Sequence, residues 1–460
     1  MLPWVVAIAF FMQTLDGTIL NTALPSMARD LAASPLRMQS VVIAYMLTVA
    51  LCIPASGWLA DRLGTRRVFV GAVALFSLGS LLCALSPALD ALIVARVVQG
   101  VGGALLLPVG RLTILRAFPR AELLRVLAFV TIPGLVGPLV GPPLGGWLVE
   151  VASWHWVFLI NLPVGVLGVV AALRYLPDLR AAQPADFDVP GFALFSLALV
   201  LVTLGLQGFD ARSLSVPMSL LLVAAGLAAM VAYWVHATRC EAPLFSPRLF
   251  QIPTFSVGIL GNLFARLGSG AMPFLTPLFL QVGLGYAPSR AGLAMVPTVV
   301  GAMLSKLLAV PLIRRFGYRQ VLVANTLMLG GLIGGFSLVD RTTPSLGILA
   351  YLGLFGVVNS MQFTAMNTLT LGDLDDARAS AGNSLLSVVM QISMGMGVAV
   401  AAALLAAFAA PAAATPHGEV LAAFHATYVC MGTLSALAAA IFLQLGRREG
   451  PLEAPVTQAD

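Results

Sequence analysis

The stretch Gly57-Trp-Leu-Ala-Asp-Arg-Leu-Gly-Thr-Arg-Arg67 separates two long apolar segments of the chain. A similar stretch, Pro311-Leu-Ile-Arg-Arg-Phe-Gly-Tyr-Arg-Gln320, separates two others. Gly64 aligns with Gly317, 253 residues later, so the chain contains an internal repeat. Each copy lies between the second and third helix of a predicted six-helix unit. The repeat therefore predicts two six-helix halves with two further helices inserted between them.

The composition of the chain requires a membrane. Hydrophobic residues make up 59% of the 460 residues and charged residues only 10%, and the mean hydropathy is +0.97. Soluble domains contain about 25% charged residues, because a folded chain leaves a large surface facing solvent. Here the apolar surface must face lipid, so the sequence predicts an all-α integral membrane fold. Fourteen membrane-spanning helices are predicted near residues 3–24, 39–60, 67–86, 89–112, 124–148, 155–176, 189–207, 217–237, 254–281, 290–313, 318–339, 345–371, 380–409 and 421–446.

The distribution of arginine predicts the orientation of these helices. With fourteen helices both termini lie on one side, where the loops and tails carry 16 arginines against 5 on the other side. Positively charged loops stay in the cytoplasm, so both termini are predicted to be cytoplasmic. The predicted domains are an N-terminal six-helix bundle (1–176), a linker with the two inserted helices (177–250), a C-terminal six-helix bundle (251–446) and a cytoplasmic tail (447–460).

Several other classes of protein are disfavoured by motifs that the sequence lacks. There is no run of basic residues with interleaved aromatics, so nucleic-acid binding is not expected. There is no phosphate-binding loop of the G-x-x-x-x-G-K-[ST] type, so ATP hydrolysis is not expected either. Because the four cysteines are scattered and form no C-x-x-C pair, we expect no disulfide and no metal site. No cofactor is predicted.

Asp16 is the one acid of nineteen that lies deep inside a predicted span. A carboxylate at the centre of a bilayer costs several kcal/mol unless it is paired or protonated, and such residues are functional by default. Burial favours the protonated form, whereas a nearby cation favours the charged form. A carboxyl group balanced between these effects can load and release a proton. The alternative is a structural hydrogen bond that ties the first helix to its neighbour.

Four cations also lie inside predicted helices: Arg96, Arg111, Arg266 and Lys306. Arg96 either forms a packing ion pair, extends its charge towards water, or acts on a nearby carboxyl group. Arg111 lies near the cytoplasmic end of its helix, where its charge easily reaches water. Arg266 begins about 18 Å into its helix and should face a wet cavity or a partner. These cations outnumber Asp16, which suggests a positively charged cavity.

Polar amides recur inside the apolar helices, where some line a cavity and others bridge helices. The residues predicted to line a substrate cavity are Gln13, Asn21, Arg111, Arg266, Gln362, Asn367, Asn383 and Gln391.

The fifth predicted helix contains the glycine- and proline-rich run 133–146, which is not expected to be straight. Proline removes backbone hydrogen bonds and glycine allows close packing, so this helix is predicted to be a hinge or seal. The alternative is packing of small residues alone. The hinge residues are Gly137, Pro138, Gly141, Pro142, Gly145 and Gly146.

The repeated loop is a candidate cytoplasmic gate. An acid at a helix end followed by a basic turn can pair with a neighbouring helix and separate when the halves move. The alternative is that its basic residues only fix the topology. Arg314 replaces the acid in the second copy, so only the first half is expected to carry the acidic contact. The predicted gate residues are Gly57, Asp61, Arg62, Gly64, Arg66 and Arg67.

These motifs resemble those of a known family. The loop at 57–67 resembles the cytoplasmic signature of the major facilitator superfamily. Four further stretches resemble motifs of its fourteen-helix drug:proton antiporters: Leu15–Pro25 in the first helix, Arg96–Gly103 in the fourth, Gly137–Gly146 in the fifth, and Trp154–Gly165 in the sixth. The resemblance spans essentially the whole chain. It implies the major facilitator fold, a proton-coupling role for Asp16 and Arg96, and an antiporter motif in the fifth helix.

The sequence thus predicts a proton-coupled transporter in the bacterial inner membrane that exports small molecules by alternating access. Its expected partners are a small-molecule substrate, protons and the lipid bilayer, and we expect it to function as a monomer. The resemblance implies amphipathic drugs as substrates. An alternative, motivated by Arg111, Arg266 and Lys306, is a dedicated exporter of an organic anion or of a metal chelate such as a carboxylate complex. Only the resemblance of the fifth helix to an antiporter motif argues for export rather than uptake. A membrane enzyme or receptor is not expected, because the sequence shows neither clustered nucleophiles or metal ligands nor a soluble sensor domain.

Overall fold

The computed structural model describes residues 1–180, 186–208, 215–409 and 418–446, and the predicted tail 447–460 lies outside these ranges. The described residues form helices and no strand. The α-helices are α1 (Leu2–Asp30), α2 (Gln39–Leu63), α3 (Thr65–Ala84), α4 (Leu89–Ala117), α5 (Arg120–Val151), α6 (Trp156–Leu159), α7 (Asn161–Tyr175), α8 (Val189–Gly208), α9 (Val216–Arg239), α10 (Pro253–Leu278), α11 (Pro288–Ala294), α12 (Val296–Gly335), α13 (Ser345–Gly372), α14 (Asp376–Ala409), α15 (Gly418–Leu437) and α16 (Ala439–Phe442).

Thirteen stretches of the described chain are long and apolar enough to span a membrane. One of them, Pro288–Leu338, has 51 residues. As one straight helix it would be about 76 Å long, more than twice the thickness of a hydrocarbon core of about 30 Å. Non-helical backbone at Gly317 divides this stretch where the sequence predicts two helices, 290–313 and 318–339. The stretches therefore agree with fourteen crossings, and the predicted fold class is confirmed.

The two copies of the repeated loop share an unusual backbone conformation. Gly64 has φ 96° and ψ 143°, and Gly317 has φ 75° and ψ 162°. This region is essentially restricted to glycine, because a Cβ atom would clash with the backbone. In each copy the glycine joins two helices through a sharp turn, which is the structural form of the sequence repeat.

The surface of the helices is apolar. Large hydrophobic side chains are exposed along most of the spans, among them Leu307, which is 73% exposed, and Leu346, which is 77% exposed. Monomeric soluble proteins rarely expose large contiguous apolar surfaces. The exposed apolar side chains are thus the face that contacts lipid.

Contacts within the chain define two units, Met1–Met230 with Pro273–Val296, and Val231–Met272 with Pro297–Asp460. The predicted domain boundaries at residues 176, 250 and 446 remain a prediction.

In the first unit α1 packs along α5 through glycines. A Cβ atom at Gly137 would lie 2.3 Å from Thr14 Oγ1, and one at Gly141 would lie 2.2 Å from Thr18 Oγ1. Only glycine allows the two helices to approach this closely. α5 contains Pro133, Pro138, Pro142 and Pro143 and still forms one helix, so the predicted close packing is present and the predicted kink remains a prediction.

In the second unit, helices also approach each other closely at glycines. α10 and α14 approach at Gly270, which lies against Met394, and at Gly397, which lies against the Leu267 carbonyl. The Ser393 hydroxyl donates to that same stretch of α10, at the Leu263 carbonyl, over 2.6 Å. Close glycine-mediated crossings therefore occur in both units.

Candidate functional site

Asp16 lies in the middle of α1 and is 1% exposed. Arg96 on α4 is equally buried, and its Nη1 lies 2.8 Å from Asp16 Oδ2. The other carboxylate oxygen, Oδ1, accepts hydrogen bonds from Gln99 Nε2 at 2.8 Å and from Asn161 Nδ2 at 3.1 Å. The buried acid therefore has one charged and two neutral donors, which come from α4 and α7.

A second set of contacts holds these donors in place. Arg96 Nη1 also donates to Gln99 Oε1 at 2.6 Å, and Arg96 Nε donates to the Val41 carbonyl at 3.3 Å. The guanidinium carbon lies 4.2 Å from the centre of the Tyr45 ring. Arginine can make these contacts together because its guanidinium is planar and carries several donors in a fixed geometry.

Ser80 on α3 completes the cluster. Its Oγ accepts from Gln99 Nε2 at 2.8 Å and from Asn161 Nδ2 at 3.2 Å. The buried polar cluster, which we define as Asp16, Ser80, Arg96, Gln99 and Asn161, thus joins four helices: α1, α3, α4 and α7.

The contacts of Asp16 are all made by donors. Its carboxylate forms an ion pair with Arg96 and accepts from two amides. The prediction that Arg96 acts on a nearby carboxyl group agrees with this geometry, and the proton-coupling role of the pair remains a prediction.

The cluster and the α5 contact lie on opposite faces of the same helix. Thr14 and Thr18 face α5, and the Thr18 hydroxyl lies 3.4 Å from the Gly137 carbonyl. Asp16, between them in sequence, points to α4 and α7. At the far end of α5, Gly146 lies against the Pro288 carbonyl, and Gly292 on α11 lies against the Pro142 carbonyl. Of the predicted hinge residues, Gly137, Gly141 and Gly145 therefore contact α1, and Pro142 and Gly146 contact α11.

The predicted gate residues lie around the turn between α2 and α3. Asp61 forms an ion pair with Arg116 at the end of α4, which is the predicted contact of the acid with a neighbouring helix. The turn is also tied to the chain that follows α7, since the Thr65 hydroxyl donates to the Pro177 carbonyl at 3.0 Å. Asp178 lies so close to Gly64 that a Cβ atom there would be 2.1 Å from its carboxylate.

The remaining gate residues make looser contacts. The Arg62 guanidinium lies 5.3 Å from the Trp58 ring, and Arg67 Nε lies 3.9 Å from the Asp178 carboxylate. Arg66 is partly buried, and Gly57 has open space around its Cα. Their gating role remains a prediction.

The residues predicted to line the substrate cavity do not share one environment. Arg111 is exposed, as is Asn383; Gln13, Asn367 and Gln391 are partly buried. Asn21 donates within its own helix, to the Gly17 carbonyl at 3.2 Å.

Gln362 is buried between helices of the second unit. Its Nε2 donates to Thr326 Oγ1 at 2.7 Å, and its Oε1 accepts from Asn325 Nδ2 at 2.8 Å. The amide therefore bridges α12 and α13, which is the second of the two roles that the sequence leaves open for such residues.

Arg266 on α10 is the second buried arginine, with 8% of its surface exposed. Its Nε donates to Asn262 Oδ1 at 2.9 Å, and its guanidinium carbon lies 4.4 Å from the centre of the Phe363 ring. Its Nη2 has no hydrogen-bond partner among the described residues. Within the described part of the chain no carboxylate pairs with it, in contrast to Arg96.

Three members of the buried polar cluster are absent from the predicted site. Gln99 follows Arg96 by three residues, a spacing that places both on one helix face and gives a usable signal. Asn161 belongs to the motif of the sixth predicted helix, which gave it no chemical role. Ser80 has no distinguishing signal, because a single serine in an apolar helix is common.

Known proteins are similar to this chain along most of its length. The sequence profile of the Major Facilitator Superfamily matches residues 6–278. A Serratia proteamaculans protein named "Putative multidrug resistance protein MdtD" is 50% identical, over 96% of this chain and 92% of its own. The Pectobacterium atrosepticum protein of the same name is 51% identical, over 95% of this chain and 94% of its own.

Solved structures share the fold. A bacterial homolog of the human lysosomal transporter Spinster has a TM-score of 0.70 at 15% identity, covering 96% of this chain and 95% of its own. A POT family transporter in complex with 5-aminolevulinic acid has a TM-score of 0.69 at 15% identity, with the same coverage.

The described chain has thirteen long apolar stretches, one of them divided at Gly317. Together with a repeated turn and a buried ion pair, they define a multi-pass membrane transporter. The matches in sequence then place it: the chain belongs to the major facilitator superfamily.

Proposed function

We propose that the protein is a proton-coupled secondary transporter that exports small molecules by alternating access. The observation that carries this proposal is the buried pair of Asp16 and Arg96, an acid and a cation that are each 1% exposed inside a membrane-spanning unit. A structural tie alone would be made at lower cost by two neutral groups, because burying two charges is expensive. A carboxyl group that binds and releases a proton explains why the charge is present.

In the proposed cycle Asp16 binds a proton from outside while substrate leaves, and releases that proton to the cytoplasm. Protonation weakens the hold of Arg96, Gln99 and Asn161 on α1. The opposite face of α1 rests on the glycines of α5, so a change on one face is passed to the other. The entry of one proton supplies about 2.3 kcal/mol per 100 mV of membrane potential, and no bound cofactor is needed.

The substrate class rests on similarity. The relatives are named as multidrug resistance proteins, which supports a range of small amphipathic drugs as substrates. The arginine distribution supports an orientation with both termini in the cytoplasm, and the bacterial relatives support the inner membrane as its location. We propose the monomer as the working unit.

Transport in proteoliposomes under an imposed pH gradient tests the proposal. Asp16→Asn keeps the size of the side chain and removes the titrating group, so proton-driven transport should fall to the rate of protein-free liposomes. Asp90→Asn is the matched control, because it removes an exposed acid from the first turn of α4. Undiminished proton-driven transport by Asp16→Asn would refute the carrier role.

One observation favours a second candidate, a dedicated exporter of an organic anion or a metal chelate such as a carboxylate complex. Arg266 is buried, stacked on Phe363 and has a free donor at Nη2. Hydrogen bonds to a charged group contribute about 1.5–3 kcal/mol. If an anionic substrate binds here, Arg266→Gln should weaken competition by small carboxylates about 10- to 100-fold. Arg37→Gln, which removes an exposed cation outside the predicted cavity, should not, and no competition by any anion would exclude this candidate.

A further inference from the structure

We infer that Asn161 is a positioning residue that sets the pH at which Asp16 takes up its proton and connects that step to α7. This inference rests on the proposed role of Asp16 as the proton carrier. Asn161 Nδ2 donates to Asp16 Oδ1 at 3.1 Å and to Ser80 Oγ at 3.2 Å. One amide therefore links the acid on α1 to α3 and α7.

The two amides that contact Asp16 are held differently. Gln99 lies on the same helix as Arg96, and its Oε1 accepts from Arg96 Nη1 at 2.6 Å and lies 3.7 Å from Cys83 Sγ. Its orientation is thus fixed by the cation whether or not Asp16 is charged. Among the residues that the structure describes, Asn161 makes no hydrogen bond with Arg96, and its amide nitrogen donates to Asp16 and Ser80 alone. Of the two amide bonds to Asp16, the one from Asn161 therefore depends more directly on the charge of the acid.

The local structure fixes where Asn161 can be. It is the first residue of α7, which follows the short helix α6 after the single residue Ile160. Phe158 in α6 is fully buried, and its ring centre lies 6.0 Å from the Arg96 guanidinium carbon. Trp154, 1% exposed, donates from Nε1 to Asp30 at the end of α1 over 2.8 Å. The segment 154–161 is therefore anchored to α1 at both ends, through Trp154 and through Asn161. Loss of the Asn161 bond on protonation would release the start of α7 from α1 at this one point.

Few other titratable groups lie near Asp16 in the described residues. Arg96 from α4 is paired with Asp16, Tyr45 from α2 lies under Arg96, and Cys83 from α3 approaches Gln99. No titratable side chain of α5, α6 or α7 bonds to Asp16 in the described ranges. An amide at position 161 therefore adjusts the proton affinity of the acid without adding a charge.

The test measures protonation of Asp16 directly. Carbodiimides that partition into membranes react with a protonated buried carboxyl group, and mass spectrometry of the Asp16 adduct against pH gives a midpoint without any transport. Asn161→Leu removes one hydrogen bond to the charged form, so the midpoint should rise by about one pH unit. Asn161→Asp adds a second carboxyl group beside the first and should raise it further. The pH profile of transport should move in the same order.

A structural effect has a different signature. Asn325→Leu is the matched control, since Asn325 is a buried amide that donates to the Val358 carbonyl and to Gln362 Oε1 and bonds to no acid among the described residues. It should lower stability or maximal rate and leave the midpoint unchanged. An unchanged midpoint in both Asn161 variants, in folded protein, would overturn the inference. If Asp16→Asn instead leaves the pH profile of transport intact, the proposed function itself fails.

Discussion

At the scale of single residues, the contacts of Arg96 explain why this cation is an arginine. It donates to Asp16, to Gln99 and to the Val41 carbonyl, and it lies over the Tyr45 ring. Lysine carries one compact charge and cannot form these bonds in the same fixed geometry. A buried ion pair of this kind is costly to interrupt, because the remaining partner becomes an uncompensated charge.

This cost gives a testable coupling. Arg96→Gln should destabilise the protein by about 3–5 kcal/mol, since it leaves a charged or newly protonated Asp16 without its cation. Adding Asp16→Asn should restore part of that loss, because the uncompensated charge is then absent. Unfolding in detergent of the wild type, both single variants and the double variant measures the coupling. Purely additive losses would show that the two side chains do not interact energetically.

The repeated glycines give a second prediction at this scale. Gly317→Ala should cost about 1–3 kcal/mol from backbone strain alone, because no atom lies within 4 Å of the position that its Cβ would occupy. Gly64→Ala should cost more, since its Cβ would also displace the Asp178 carboxylate. Thermal unfolding of the two variants should rank them in this order. The reverse order, or no loss at Gly317, would contradict the role of positive φ in the repeated turn.

The sequence identified the charged residues of the site better than the neutral ones. Asp16 and Arg96 stood out because a charge inside an apolar span needs a compensating partner. Asn161 and Ser80 carry no such signal, and their convergence on Asp16 depends on how α3 and α7 pack against α1. The same limit applies to Gln362, because an amide in an apolar helix has the same appearance in sequence whether it faces a cavity or a neighbouring helix.

At the scale of elements, the sequence predicts that α5 packs closely against another helix but does not identify α1 as that helix. Small residues in the run 133–146 predict close helix packing. Composition does not say which helix these small residues contact. In the structure Gly137, Gly141 and Gly145 face α1, whereas Gly146 and Pro142 face α11. The prolines also remain inside one helix, so their presence alone does not locate a break.

Replacing one glycine of this contact should separate the helices. Gly141→Ala would place its Cβ 2.2 Å from Thr18 Oγ1 and 3.1 Å from the Ile19 nitrogen, so stability and transport should both fall. Gly331→Ala is the matched control on α12, where nothing lies within 4 Å. There alanine should stabilise the helix by up to about 1 kcal/mol through its higher helix propensity. Thermal unfolding and transport rates measure both, and equal effects would argue against a tight α1–α5 contact.

At the scale of the whole molecule, the apolar surface and the lengths of the spans determine the topology. The 51-residue stretch Pro288–Leu338 is too long for one crossing and is divided at Gly317. If it crosses twice, the chain before Pro288 and the chain after Leu338 lie on the same side of the membrane. The turn at Gly317 then lies on the other side, together with the loop after α9. This division is what makes the number of crossings even.

Labelling of single cysteines by a membrane-impermeant maleimide checks this topology. Cys240 is retained alone in one variant, and Ala287→Cys, Gln320→Cys and Thr342→Cys are made without the four native cysteines. All three introduced positions are exposed, and Cys240 is partly buried. Positions 287 and 342 should react in intact spheroplasts, whereas positions 240 and 320 should react only in inverted vesicles, because the basic turn at Gly317 is predicted to lie on the cytoplasmic side. Reaction of 287 and 342 from opposite sides would mean a single crossing, and would remove the even count on which the orientation of both termini depends.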